Sequence, residues 1–163
     1  MSESTDDYNP DGDVPLGGYA ALATTFAAAA GLAAVALRAR KKALPDRVPP
    51  WDVLLLGVST YKLSRLLAKD KITSFVRAPF TRREEDTTAG EVSDEPRGEG
   101  LRLAVGDLVA CPFCVSAWMA GSLTAGYAFA PRATRLVASG LTAMTLSDWL
   151  HYAWTWTQQR VEG

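Results

Sequence analysis

Charge is distributed very unevenly along this chain. Asp, Glu, Lys and Arg are absent from residues 14–37 and 108–131, and between residues 136 and 159 only Asp148 interrupts a third gap. A helix rises about 1.5 Å per residue, so about 20 residues suffice to cross roughly 30 Å of hydrocarbon. Each gap is that long. A soluble amphipathic helix places charge on its wet face every turn or so, whereas residues 16–37, LGGYAALATTFAAAAGLAAVAL, offer no wet face. The expected fold is therefore all-α, an integral membrane helical bundle. The 163 residues carry a formal charge of −1 and a mean hydropathy near zero. Those averages resemble a soluble domain only because acidic, apolar and basic segments cancel. So small a net charge leaves no field for gripping nucleic acid, and none is expected as a partner.

The leader, MSESTDDYNPDGD, holds five acids and no base, unlike the basic start of a secretory signal. Arg38, Arg40, Lys41 and Lys42 follow the first gap instead. Residues 16–37 thus read as an uncleaved anchor with its N-terminus outside and its basic flank in the cytoplasm. Residues 1–15 are expected to form a short acidic disordered tail. Two further spans are expected at residues 108–130 and 133–157. Residues 51–68 are apolar only from 53 to 61. Lys62, Arg65 and Lys69 then recur on one helical stripe, giving an amphipathic helix that lies in the interface or dips in and returns. The alternative is four spans, with Lys62 and Arg65 paired inside the bundle. Three spans place 15 of the 17 bases on the cytoplasmic side, leaving Arg132 and Arg135 outside, whereas four place ten outside. The positive-inside rule favours three, with residues 38–107 in the cytoplasm of a multi-pass cell-membrane protein. Residues 51–157 form the membrane module, and its polar stretch 82–100 is expected to be a mobile acidic surface loop.

Cys111 and Cys114 enclose Pro-Phe at the start of the second gap. Such a pair serves as a redox dithiol, as half of a four-ligand metal site, or as two small apolar side chains. The last two spans are joined only by Pro131 and Arg132, so they are expected to form an antiparallel hairpin in which facing residue numbers sum to about 264. Cys114 then lies opposite Leu150, and Cys111 opposite Ala153. His151, the only histidine, and Asp148 share that depth. Cys111, Cys114, His151 and Asp148 are therefore a candidate zinc set, with Asp148 as ligand or as acceptor of the imidazole N–H. The plainer reading makes Asp148 and His151 an interfacial polar pair within an aromatic belt of Trp149, Tyr152, Trp154 and Trp156.

Residues 62–80 concentrate bases on an amphipathic segment ended by Pro79. Either Lys62, Arg65, Lys69 and Arg77 face anionic lipid headgroups or a partner, or Arg65, Asp70 and Arg77 form an ion-pair cluster that docks the segment on the hairpin. Ala117, Gly121 and Ala125 repeat at four-residue spacing, which suits close helix packing within one chain or against a second copy.

The stretch KLSRLLAKDKITSFVRAPF at 62–80, followed by CPFCVSAW at 111–118, resembles a small bacterial membrane-protein family known as the domain of unknown function numbered thirteen-sixty. The resemblance covers roughly residues 52–152 and leaves the first span outside it. It implies a compact membrane module with an Arg/Asp block and a Cys-Pro block, and no established activity. The chain lacks a phosphate-cradling loop, a nucleophile elbow and a His-Glu-x-x-His helix, which disfavours an enzyme. The expected role is structural or partner-binding at the cytoplasmic membrane face. The partners would be the lipid bilayer, an unidentified membrane protein or a homo-oligomer, with no cofactor. The alternative is a thiol-redox or zinc-binding membrane protein.

Overall fold

The structure is a computed structural model and describes residues 8–41, 44–86 and 90–162. Helix α1, Leu16–Ala39, follows Pro15 and consists almost entirely of small and apolar residues. Residues 1–7 of the expected tail lie outside the described residues. Residues 9–14 are ordered as a turn in which the Asn9 side-chain Nδ2 donates to the Val14 carbonyl and the Asn9 Oδ1 accepts the Val14 N–H. Helix α2, Pro50–Ala68, begins with proline at N1, where no amide hydrogen is needed, and Asp52 in its first turn complements the helix dipole. Asp70 then accepts the N–H of Ile72 to cap the 3-10 turn Lys71–Thr73, which leads into the single turn α3, Ser74–Arg77.

The segment expected to be a mobile loop at 82–100 instead carries a short antiparallel hairpin, within a fold that is otherwise helical, as the all-α expectation has it. Strands β1, Thr81–Asp86, and β2, Val92–Pro96, pair with Thr81 opposite Pro96 and an irregularity between Arg83 and Glu85. Arg82 lies opposite Glu95 and Arg83 opposite Asp94, so opposite charges face each other across the ribbon. Val92 is fully buried. The ribbon rests on helix α4, Gly100–Ala110, where a Cβ on Gly106 would lie 2.7 Å from the Phe80 carbonyl oxygen. Two isolated strands would be marginal; this docking supplies their support.

The expected span at 108–130 is broken. Helix α4 stops at Ala110, and α5, Pro112–Phe129, leaves at 83° to it. Proline forces the residue before it into extended backbone, and Cys111 has φ −103° and ψ 111°. Helix α6, Pro131–Glu162, contains the expected third span without a break. Among the described helices α1 alone is long and apolar enough to cross a membrane by itself, and α4 with α5 qualifies only as a bent pair. Three independent spans are therefore not supported.

Packing sets the directions. Phe26 meets Trp118 edge to face at 5.3 Å and Arg40 lies over Phe129 at 5.7 Å, so α1 and α5 run parallel. Helix α2 runs back along α5, with Asp52 beside Tyr127 and Arg65 near Phe113. It packs on both α5 and α6 and is the central helix. The start of α1, where Gly18 abuts Ala104, and the hairpin therefore share one end, while the Pro131 turn lies at the other. Residues 38–107 pass from one end to the other, which corrects the expectation that they all lie on one side of a membrane crossed by α1.

Candidate functional site

Charge is gathered on the inner face of α2. Near its N-terminus Asp52 receives two hydrogen bonds from Arg135 of α6, from Nε at 2.9 Å and from Nη2 at 2.6 Å. Such a fork fixes both the distance and the rotation between the helices. The Tyr127 hydroxyl of α5 donates to the same carboxylate at 2.5 Å and accepts from Arg135 at 2.9 Å, tying three helices at one point. Two turns further, the buried Ser59 hydroxyl lies 2.7 Å from the Leu55 carbonyl and 2.9 Å from the Ala138 carbonyl of α6. Lys62 then donates to Asp148 at 2.6 Å. Sequence spacing alone did not single out Asp52, Tyr127 or Arg135. Their signal was present: Tyr127 and Arg135 nearly satisfy the hairpin sum.

The next turn of α2 leads to the hairpin. Arg65 binds Glu91, and Arg77 binds Asp94 at 2.6 Å. Arg77 is fully buried and also donates to the Leu67 carbonyl at 2.6 Å, the Thr73 hydroxyl at 2.8 Å and the Asp70 carbonyl at 3.1 Å. Lys62 and Arg77, expected to face lipid or a partner, are instead buried, Arg77 against the buried Asp94 and Lys62 against the half-exposed Asp148. Lys69 is half-buried. Of the expected ion-pair cluster of Arg65, Asp70 and Arg77, Arg77 reaches Asp70 only through the main-chain carbonyl. The acids that pair with the two arginines are Glu91 and Asp94, which lie in the supposed loop.

Between α2, α6 and the Gly90–Glu91 segment is a cavity of about 400 Å³ lined in part by Lys62, Arg65, Glu91, Asp148 and His151. A second, mostly apolar groove of about 240 Å³ separates α2 from the start of α5, between Gly57, Thr60 and Ser64 on one side and Pro112, Phe113 and Ser116 on the other. Tyr61 and Arg65 line both.

The candidate zinc set is not assembled. No group of three or more His, Cys, Asp or Glu side chains among the described residues could hold a metal ion. The α5–α6 hairpin holds near its turn, where Gly126 meets Thr134, but α2 wedges between the helices beyond it. Asp148 and His151 consequently face α2, while Cys111 and Cys114 lie on its far side as free thiols. Cys111 sits in the bend and caps α5, accepting the Cys114 N–H at 3.3 Å. Burial pushes the Cys111 thiol up, but hydrogen bonds from the Cys114 thiol and from the backbone of Cys114 and Phe113 outweigh it and hold it below the usual thiol range.

The fold and site define a class: a helical bundle whose elements are joined by ion pairs, one of them, Arg77–Asp94, fully buried, and whose large apolar side chains are in many places exposed. The chain belongs to the DUF1360 family of proteins of unknown function, whose profile matches residues 55–154. Over 109 residues it is 30% identical to sporulation protein YjcA of Bacillus subtilis (strain 168), covering 60% of this chain and 92% of that protein. It is also 30% identical over 87 residues to the UPF0713 protein YngL of the same organism, covering 53% of this chain and 65% of the relative. No solved structure matches.

Proposed function

We propose that the protein is an integral membrane bundle with a structural or partner-binding role, with α1 crossing the bilayer and α2, α5 and α6 beside it in the hydrocarbon. The observation that carries this reading is the large uncovered apolar surface around buried polar groups. Ser59 and Arg77 are 0% exposed, whereas Leu32, Leu136 and Leu150 are 71%, 76% and 70% exposed. The best window of α1 has a mean hydropathy of 1.9 and no buried residue. Water penalises so much uncovered apolar surface, whereas hydrocarbon accepts it and requires ionised groups to pair inward. The exposed Trp149, Tyr152, Trp154 and Trp156 suit one membrane interface.

Ten of the 17 bases, nine from Lys62 to Arg102 together with Arg160, belong to segments at the end where α1 begins. The positive-inside rule then puts that end in the cytoplasm, reversing the orientation expected from the flank of α1 alone. Alkaline carbonate extraction tests the membrane reading: the full chain stays in the pellet, and release into the supernatant overturns it. An N-terminal epitope hidden in intact cells and exposed on permeabilisation supports the orientation. One relative is named a sporulation protein, which makes spore formation the process in which to examine a deletion strain. The lowered Cys111 thiol favours a second reading, thiol–disulfide exchange by Cys111 and Cys114, which alkylation with and without oxidant tests.

A further inference from the structure

We propose that the cavity between α2 and α6 holds the headgroup of a phospholipid bearing both a phosphate and an ammonium, with an acyl chain in the adjoining α2–α5 groove. The inference rests on the membrane reading above. Tyr61 and Arg65 line both spaces, so the polar cavity and the apolar groove meet at one ridge on α2. Their depths suit an amphiphile. The cavity lies against the last two turns of α2, reaching Asp70, with the aromatic side chains Trp149 and Tyr152 at its wall. The groove reaches back to Gly57, and eight residues of helix place Gly57 about 12 Å deeper than Arg65.

Charge selects the headgroup. Two cations, Lys62 and Arg65, line the cavity together with three carboxylates, those of Asp70, Glu91 and Asp148. Lys62 and Arg65 are already matched by Asp148 and Glu91, so a purely anionic headgroup would meet a cavity with no cationic excess. A zwitterion meets both signs. Its phosphate takes N–H groups from the Lys62 ammonium, which has three and gives one to Asp148, and from Arg65. Its ammonium takes the carboxylates and the face of Tyr152, since the Tyr61 ring already lies under the Arg65 guanidinium. The expectation of anionic-lipid binding through these bases is thereby replaced by a preference for zwitterionic lipid.

The full chain is reconstituted into vesicles of equimolar phosphatidylethanolamine, phosphatidylcholine and phosphatidylglycerol, gently solubilised, and weighed by native mass spectrometry. Retention of the two zwitterionic lipids should exceed that of phosphatidylglycerol by about tenfold, the factor that one ammonium contact with a carboxylate or an aromatic face confers. Gly57→Phe fills the groove without strain, since a Cβ there meets nothing within 4 Å, and should abolish retention without changing the melting temperature. Glu91→Gln removes a negative charge from the cavity and should raise the phosphatidylglycerol share. Equal retention of all three lipids, a preference for phosphatidylglycerol, or undiminished retention by Gly57→Phe overturns the inference. So does an inserted protein that retains no lipid, although the membrane reading survives that result. Failure to enter the vesicles overturns both.

Discussion

Arg77→Met should be among the most damaging single substitutions in this chain. The guanidinium is fully buried, and its partner Asp94 has a side chain only 4% exposed. Methionine fills much of the space but donates nothing, so the Asp94 carboxylate and the Leu67 and Asp70 carbonyls lose the donor they share. Breaking a buried pair from one side costs about 3–5 kcal/mol, chiefly through the charge left behind. At roughly 2–4 °C per kcal/mol for a chain of this size, the melting temperature should fall by about 6–20 °C. Tryptophan fluorescence of the solubilised protein reads this directly. Arg77→Lys keeps the charge but loses the planar fork, and should recover only part of the loss. The double variant Arg77→Met with Asp94→Leu removes both charges and should recover most of it. A shift under about 2 °C for Arg77→Met, or a double variant no better than the single, would refute the reasoning.

Two further outcomes follow from local geometry. Gly106→Ala drives a methyl to 2.7 Å from the Phe80 carbonyl oxygen and 3.0 Å from the Pro96 Cβ, and should cost about 1–3 kcal/mol in a melting experiment. Gly140→Ala, with open space around it, should be neutral or stabilising by up to about 1 kcal/mol in the same assay, and equal losses at both sites would contradict the packing described. Because the Cys111 thiol is lowered, its thiolate persists at lower pH than an ordinary thiol, so its alkylation midpoint should lie below that of an ordinary thiol and rise in Cys114→Ala. Peptide mapping after iodoacetamide labelling measures this, and a midpoint at or above the ordinary value in the parent would remove the thiol reading.

Where local chemistry decides structure, the sequence was legible. The charge-free run of α1 and the turn at Pro131 are both visible without coordinates. Pro112 was a missed signal: a proline enters a helix most readily at its first position, so the run at 108–130 carried its own breakpoint. The hairpin was illegible because its strands are polar on both sides and form only where α4 and two distant arginines receive them. The spacing could match the thiols and Asp148 only in depth, and depth says nothing about a third helix wedged between them. Glu91 and Asp94 were hidden for the same reason. Each is matched with a base 26 and 17 residues away, respectively, through folding rather than through periodicity.

The inward-facing charges of α2 also set an order of assembly. Asp52 is matched by Arg135, Lys62 by Asp148 and Arg65 by Glu91, and in every case the partner is made later. A chain emerging from the ribosome therefore presents α2 with three ionised side chains and nothing to neutralise them, while α1 has no such debt. On the membrane reading proposed above, helix α1 can enter hydrocarbon as soon as it is complete. On that reading helix α2 has to wait at the surface until α6, made after it, brings Arg135 and Asp148 to it.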